Sequence, residues 1–212
     1  MRTISDRKLA AKTNLGNGIF TPNWMSGVLV NLIMWGVSAA LGSISVGALT
    51  MLVLGPLSCG VHACYLKNAR DKEQIQVEYM FAGFKVDFGG TFLLGLLMDI
   101  FVALWSILFV IPGIIKAYSY SMAYFIKADH PEYGWRQCID ESRKLMNGHK
   151  WELFVQDLSF IGWIIVGSIC LGVGFLWVDA YQNAAKAEFY KDLIREERAS
   201  TVGVDVEFEV NE

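Results

Sequence analysis

Asp179, Gln182, Asn183 and Lys186 fall at i, i+3, i+4 and i+7 within one largely apolar run. On a helix this spacing gathers them into a single stripe. Lys116, Tyr120, Tyr124 and Lys127 make a second stripe at comparable spacing, and Asp99 sits near the middle of another apolar run. Asn31, Ser58, His62 and Asp157 add isolated polar points. Ionisable groups inside hydrocarbon must face protein or water, and they often mark counter-ion pairs, proton relays or solute paths. The candidate polar interior is therefore Asp99, Lys116, Tyr120, Asp179, Asn183 and Lys186.

Depth along the helices predicts who meets whom. At about 1.5 Å of rise per residue, Lys116 and Asp179 lie about 7 Å inside the outer helix ends, and Asp99 and Lys186 about 17 Å inside. The expectation is two stacked ion pairs, Lys116 with Asp179 and Asp99 with Lys186. An unpaired charge at mid-helix costs about 2.5–3.5 kcal/mol on insertion scales, which pairing or hydration must offset. Such pairs either glue helices together, with Gly95, Ser168 and Ala184 allowing close approach, or line a path.

Other chemistry is poorly supported. Asp129, His130, Glu132 and His149 are metal-ligand types, but their spacing fits no zinc or calcium pattern, so neither a metal nor a cofactor is expected. No G-x-S-x-G, H-E-x-x-H or phosphate loop occurs, and no local order makes a triad, so the chain reads as a non-enzyme. Cys59, Cys64, Cys138 and Cys170 form no C-x-x-C and read as reduced, buried thiols. Net charge is −3 with no basic run interleaved with aromatics, which excludes an obvious nucleic-acid partner.

The elements that must position these residues are membrane helices. The 212 residues are 54% hydrophobic and only 18% charged, and a spanning helix needs roughly 20 mostly apolar residues. The reading is an all-α polytopic bundle with six transmembrane helices, at about 24–43, 46–66, 89–110, 112–128, 152–171 and 174–193. They form one domain, 1–198, followed by an acidic cytoplasmic tail, 199–212, that is expected to lack firm order. A four-span alternative would export Lys127, Arg136, Arg143, Lys144 and Lys150. Six spans assign these to the inside with the other basic clusters, in line with the positive-inside bias, and only Lys116, which lies within a span, is left over. Both termini are then cytoplasmic. The first segment lacks the features of a cleaved secretory signal. Gly42–Ser45, Ile111–Gly113 and Gly172–Gly174 are the short external links of three hairpins. Pro56 should kink the second helix.

Gly134–Met146 alternates an apolar face (Trp135, Cys138, Ile139, Ser142, Leu145) with a charged one, as an interfacial amphipathic helix does. Val77–Phe84 and Ser5–Leu15 are further candidates. Gly18, Gly83 and Gly148 recur at 65-residue intervals, each between such a segment and a hairpin. That pattern predicts three parallel units around an axis normal to the membrane.

Two runs carry a resemblance: Ile111-Pro112-Gly113-Ile114-Ile115-Lys116-Ala117-Tyr118-Ser119-Tyr120-Ser121-Met122-Ala123-Tyr124, and Ser142-Arg143-Lys144-Leu145-Met146-Asn147-Gly148-His149-Lys150. With Leu158–Trp163 and Ala187-Glu188-Phe189-Tyr190, they resemble the bacterial integral-membrane family called domain of unknown function 975, over about Ser5–Ile194. Asp179-Ala180-Tyr181 departs from that pattern, which has Pro before the Tyr. The resemblance implies a multi-span fold in the bacterial cytoplasmic membrane and assigns no activity. Three functions stand open: a small transport-related or solute-binding bundle using the polar interior, a non-transporting scaffold or regulator acting through its cytoplasmic helices, and an intramembrane enzyme. The expected partners are the lipid bilayer and either a second copy or another membrane protein.

Overall fold

The computed structural model describes residues 2–16, 18–43, 47–108, 110–169 and 174–210. Among them the structure is all-α: α1 (Ile4–Leu15), α2 (Pro22–Ser43), α3 (Gly47–Asp71), a 3₁₀ turn (Val77–Phe81) leading into α4 (Ala82–Val86), α5 (Phe88–Leu108), α6 (Val110–Tyr120), α7 (Ala123–Asp129), α8 (Trp135–Leu145), α9 (Lys150–Leu158), α10 (Ile161–Ile169) and α11 (Gly174–Val210). Stretches in α2 (Pro22–Leu41) and α5 (Phe88–Ser106) are long and apolar enough to cross a membrane.

The residues of the first three expected spans form α2, α3 and α5, and the three segments expected to be amphipathic form α1, the 3₁₀–α4 pair and α8. α1 corrects that expectation, since it buries Arg7 and Asn14 and exposes Leu9. The fourth and fifth are interrupted. Between α6 and α7, the Ser142 hydroxyl enters the backbone ladder, accepting from Met122 N–H at 3.2 Å and donating to the Ser119 carbonyl at 2.9 Å. A side chain inserted between such groups bends a helix. Between α9 and α10, Ser159 turns its own hydroxyl onto the Gln156 carbonyl, and Lys8 of α1 donates to the Ser159 carbonyl at 3.2 Å. The helix expected as the sixth span is continuous in α11 past Asp179-Ala180-Tyr181, and it runs through the acidic tail to Val210, where a loosely ordered tail was expected. Ile111-Pro112-Gly113 forms the first turn of α6 rather than a link. Residues 44–46 and 170–173 of the other links, and Cys170, lie outside the described residues.

Helix packing is arranged cyclically. The hairpins are α2–α3, α5–α6/α7 and α9/α10–α11, and each intervening segment packs mainly on the second helix of a different hairpin. α1 lies on α11, the 3₁₀–α4 pair on α3, and α8 on α7 with α5 and α6. Glycine makes one of these contacts possible. A Cβ at Gly60 would stand 1.8 Å from the Met80 carbonyl oxygen, and one at Gly83 2.2 Å from that of Pro56. The 65-residue glycines are not equivalent in conformation: Gly148 adopts φ +87 in open space, whereas Gly83 is helical and packed on α3. Element order repeats, but residue roles do not.

Large side chains at the hairpin roots and mid-levels are buried, including Tyr65, Met80, Phe125, Phe160, Phe189 and Tyr190. Towards the hairpin tips an apolar band is exposed, including Leu32, Trp35, Leu104, Ile115, Trp163 and Ile165.

Candidate functional site

The six residues of the expected polar interior are not brought into one cluster. Asp99 is exposed on α5 and makes no ion pair among the described residues. Lys116 stands over the Trp105 ring at 5.1 Å to the centroid. Tyr120 is buried beside Phe101. Asp179 and Asn183 lie on α11 towards α2 and α3, Asp179 near the Trp35 indole and Asn183 at the Tyr65 hydroxyl. That hydroxyl also reaches the Gly27 carbonyl at 3.3 Å and the Asn31 carboxamide oxygen at 3.5 Å. The two predicted ion pairs are therefore corrected: Lys186 pairs with Asp157 at 3.5 Å, and Lys116 with an aromatic face.

Asp157 is the hub that reading the sequence under-weighted. Its Oδ1 accepts from Gln182 at 3.1 Å and faces Lys186, while its Oδ2 accepts from the Tyr118 hydroxyl at 3.2 Å. The partial signal was that Asp157 and Lys186 flank the same Gly172–Gly174 link, although Asp157 stands about one helical turn further from it.

The helix roots carry a second polar layer. Glu188, 1% exposed, accepts from Arg2 at 2.7 Å, Asn14 at 2.8 Å and Lys191 at 3.0 Å, and Arg2 also reaches Asp192 at 2.6 Å. Arg70 grips Asp129 with both terminal nitrogens, and Tyr190 donates to the same carboxylate at 3.1 Å. Burial alone would raise the Asp129 carboxyl, but the Arg70 guanidinium and the Tyr190 hydroxyl hold it below its ordinary value. Lys127, 2% exposed, spends its three donors on Asp87 and on the Pro131 and Tyr133 carbonyls at 2.8 and 2.7 Å. That lysine and the Gly90 N–H lower the Asp87 carboxyl. Cys59, Cys64 and Cys138 are free and buried, as expected, and burial pushes the Cys138 thiol up to about 11. Among the described residues no group of His, Cys, Asp and Glu could hold a metal ion.

One charged surface is open. A cleft of about 890 Å³ lies between α6, α8 and the start of α9, lined by Lys116, Arg136, Arg143, Lys144 and Lys150 with Asp140 and Glu141. Asp140 and Glu141 are engaged by Arg143 at 3.4 Å and Lys144 at 2.7 Å. Lys116, Arg136 and Lys150 have no carboxylate partner among the described residues. The cleft is thus net cationic and suited to an anion. The sequence marked α8 as amphipathic but gave no sign that Lys116 and Lys150 would converge on its polar face.

Residues 107–197 match a family model described as a protein of unknown function, DUF975. Over that segment the chain is similar to this family of unknown function. The match covers α6 to most of α11, including both long motifs and the hub at Asp157, and is shorter than the expected Ser5–Ile194. All the cationic residues of the cleft lie within the matched segment. No curated protein and no solved structure matches the chain.

Proposed function

We propose that this chain is a non-enzymatic, multi-pass protein of the bacterial cytoplasmic membrane. In this reading it works as a scaffold or regulator through its cytoplasmic side rather than by moving a solute through its interior. The carrying observation is the open cationic cleft between α6, α8 and α9, where three cations lack acid partners. The exposed apolar band towards the hairpin tips supports embedding in lipid, since soluble monomers rarely expose contiguous apolar patches of more than a few hundred Å². Six crossings, with α6–α7 and α9–α10 as bent spans, put Arg136, Arg143, Lys144 and Lys150 on the cytoplasmic side, in line with the positive-inside bias.

Cysteine-accessibility labelling tests the topology in a background where Cys59, Cys64, Cys138 and Cys170 are replaced by Ser or Ala. A single Cys at Gln137 should react in inverted vesicles and stay protected in intact cells. Labelling from outside would overturn the reading. The scaffold role is tested by reconstitution: no flux of ions or amphiphiles should appear in vesicles holding the pure chain.

A second reading, solute binding or transport, draws on the Asp157 hub, because a carboxylate facing Lys186, Gln182 and Tyr118 is a plausible solute anchor. Flux abolished by Asp157→Asn with unchanged stability would favour it.

A further inference from the structure

We propose that the cleft between α6, α8 and α9 seats the head group of an anionic phospholipid, with an acyl chain lying in the adjoining aromatic groove. This inference deepens the membrane reading above and rests on it.

The cleft does not end at its charged walls. It runs into a groove of about 430 Å³ lined by Phe101, Trp105, Tyr120, Trp135 and Ile139, and the two share Arg136, Asp140 and Arg143. Cations therefore stand at the boundary between a wet, charged space and an aromatic one. Lys116 lies over Trp105 and Arg136 over Trp135, each at 5.1 Å. On the tip side of the groove the surface continues as exposed Leu104, Ile114 and Ile115. An occupant that satisfies all of this has a negative head and an apolar tail.

The docking of α8 fixes the orientation. Its Cys138, Ile139, Ser142 and Leu145 are buried against the bundle, and Ser142 anchors it to the Ser119–Met122 interruption. Its charged face, Arg136, Asp140 and Arg143, is left towards the cleft. An amphipathic helix so placed lies at the head-group level of a membrane, where basic residues attract anionic lipid. A soluble phosphate would meet the cations but leave the aromatic groove to water. An acidic peptide would need no groove that continues into the exposed apolar band.

The test uses the full chain purified in mild detergent and in bilayer nanodiscs. Native mass spectrometry would compare retention of phosphatidylglycerol with phosphatidylcholine of the same chains. The wild type should retain the anionic lipid preferentially. Arg136→Ala with Lys150→Ala should bring the two lipids close to parity, at about fivefold loss per cation removed. Arg136→Lys with Lys150→Arg should restore the preference and so separate charge loss from misfolding. Trp105→Ala, at a partly exposed position, should weaken retention of both lipids. Glycerol phosphate and an acidic peptide are added as competitors. Displacement of the lipid by either one at matched concentration would overturn the proposal, as would equal retention of both lipids by the wild type. If equal retention comes with the labelling pattern predicted for Gln137, the lipid site fails alone. If Gln137 reacts from outside, the membrane reading fails with it.

Discussion

Ser142 on α8 donates to the carbonyl of Ser119 on α6 at 2.9 Å and, with the same hydroxyl, accepts from the N–H of Met122 at 3.2 Å. Both partners are backbone groups released where the helix breaks, and Ser142 is fully buried. Ser142→Ala would leave both without a partner, at a cost of about 1–3 kcal/mol per buried unsatisfied group. Thermal unfolding in detergent should show a clear fall in Tm, and Ser142→Thr should recover part of it. An unchanged Tm for Ser142→Ala would mean the break has another cause.

Asp87 provides a pH dependence with a definite sign. Its carboxyl is held below the ordinary 3.8 by the Lys127 ammonium and the Gly90 N–H. A lowered folded value stabilises above the ordinary range, and that contribution disappears as pH falls through the folded value. Because the Asp87 side chain is 39% exposed, solvent screening brings the contribution below the roughly 1.5–3 kcal/mol of a charged hydrogen bond, to about 1 kcal/mol. The stability gap between wild type and Asp87→Asn should be full at pH 6 and close progressively below about pH 4. Melting curves from pH 7 to 3 would show it. A constant gap would refute the assignment.

Lys186 should couple to Asp157 and not to Asp99. Contacting ionic partners show interaction energies of about 0.5–3 kcal/mol in double-mutant cycles, and distant ones are additive within about 0.5 kcal/mol. Cycles built from Lys186→Met with Asp157→Asn, and Lys186→Met with Asp99→Asn, should fall on either side of that divide. Asp99→Asn alone should not destabilise the chain, because it removes an unpaired charge from the middle of an apolar helix.

Gly60 is a steric requirement. Any Cβ there would overlap the Met80 carbonyl, a backbone atom that cannot swing aside. Gly60→Ala should push the 3₁₀–α4 segment off α3, which limited proteolysis would detect as new cleavage between residues 72 and 88. Gly36, with nothing within 4 Å of its would-be Cβ, is the control: its Ala variant should keep the wild-type pattern.

The helices and the amphipathic character of α8 were legible because hydrophobic runs and periodicity are local properties of the chain. The interruptions at Ser121–Met122 and Ser159–Phe160 were not, since each is supported by a side chain from a distant helix, Ser142 in one case and Lys8 in the other. The charge pairs were misassigned for a geometric reason. Depth was measured along straight helices from a common plane and pairing was sought between hairpins, whereas Asp157 and Lys186 meet across one link, the α9–α10 bend lying between them. Lys116 and Trp105 likewise meet across a single link, between α5 and α6. The cationic cleft escaped because Lys116, Arg136 and Lys150 come from three helices and share no spacing.

The contact of Arg2 with Glu188 and Asp192 joins the first helix to the last. During translation α1 is made well before the carboxylates that hold it, which lie nearly two hundred residues further along the chain. Arg2 must therefore wait unpaired until the middle of α11 has been made. Nascent chains stalled before Glu188 should hold an unprotected α1, so this clasp closes only after every other helix has been synthesised.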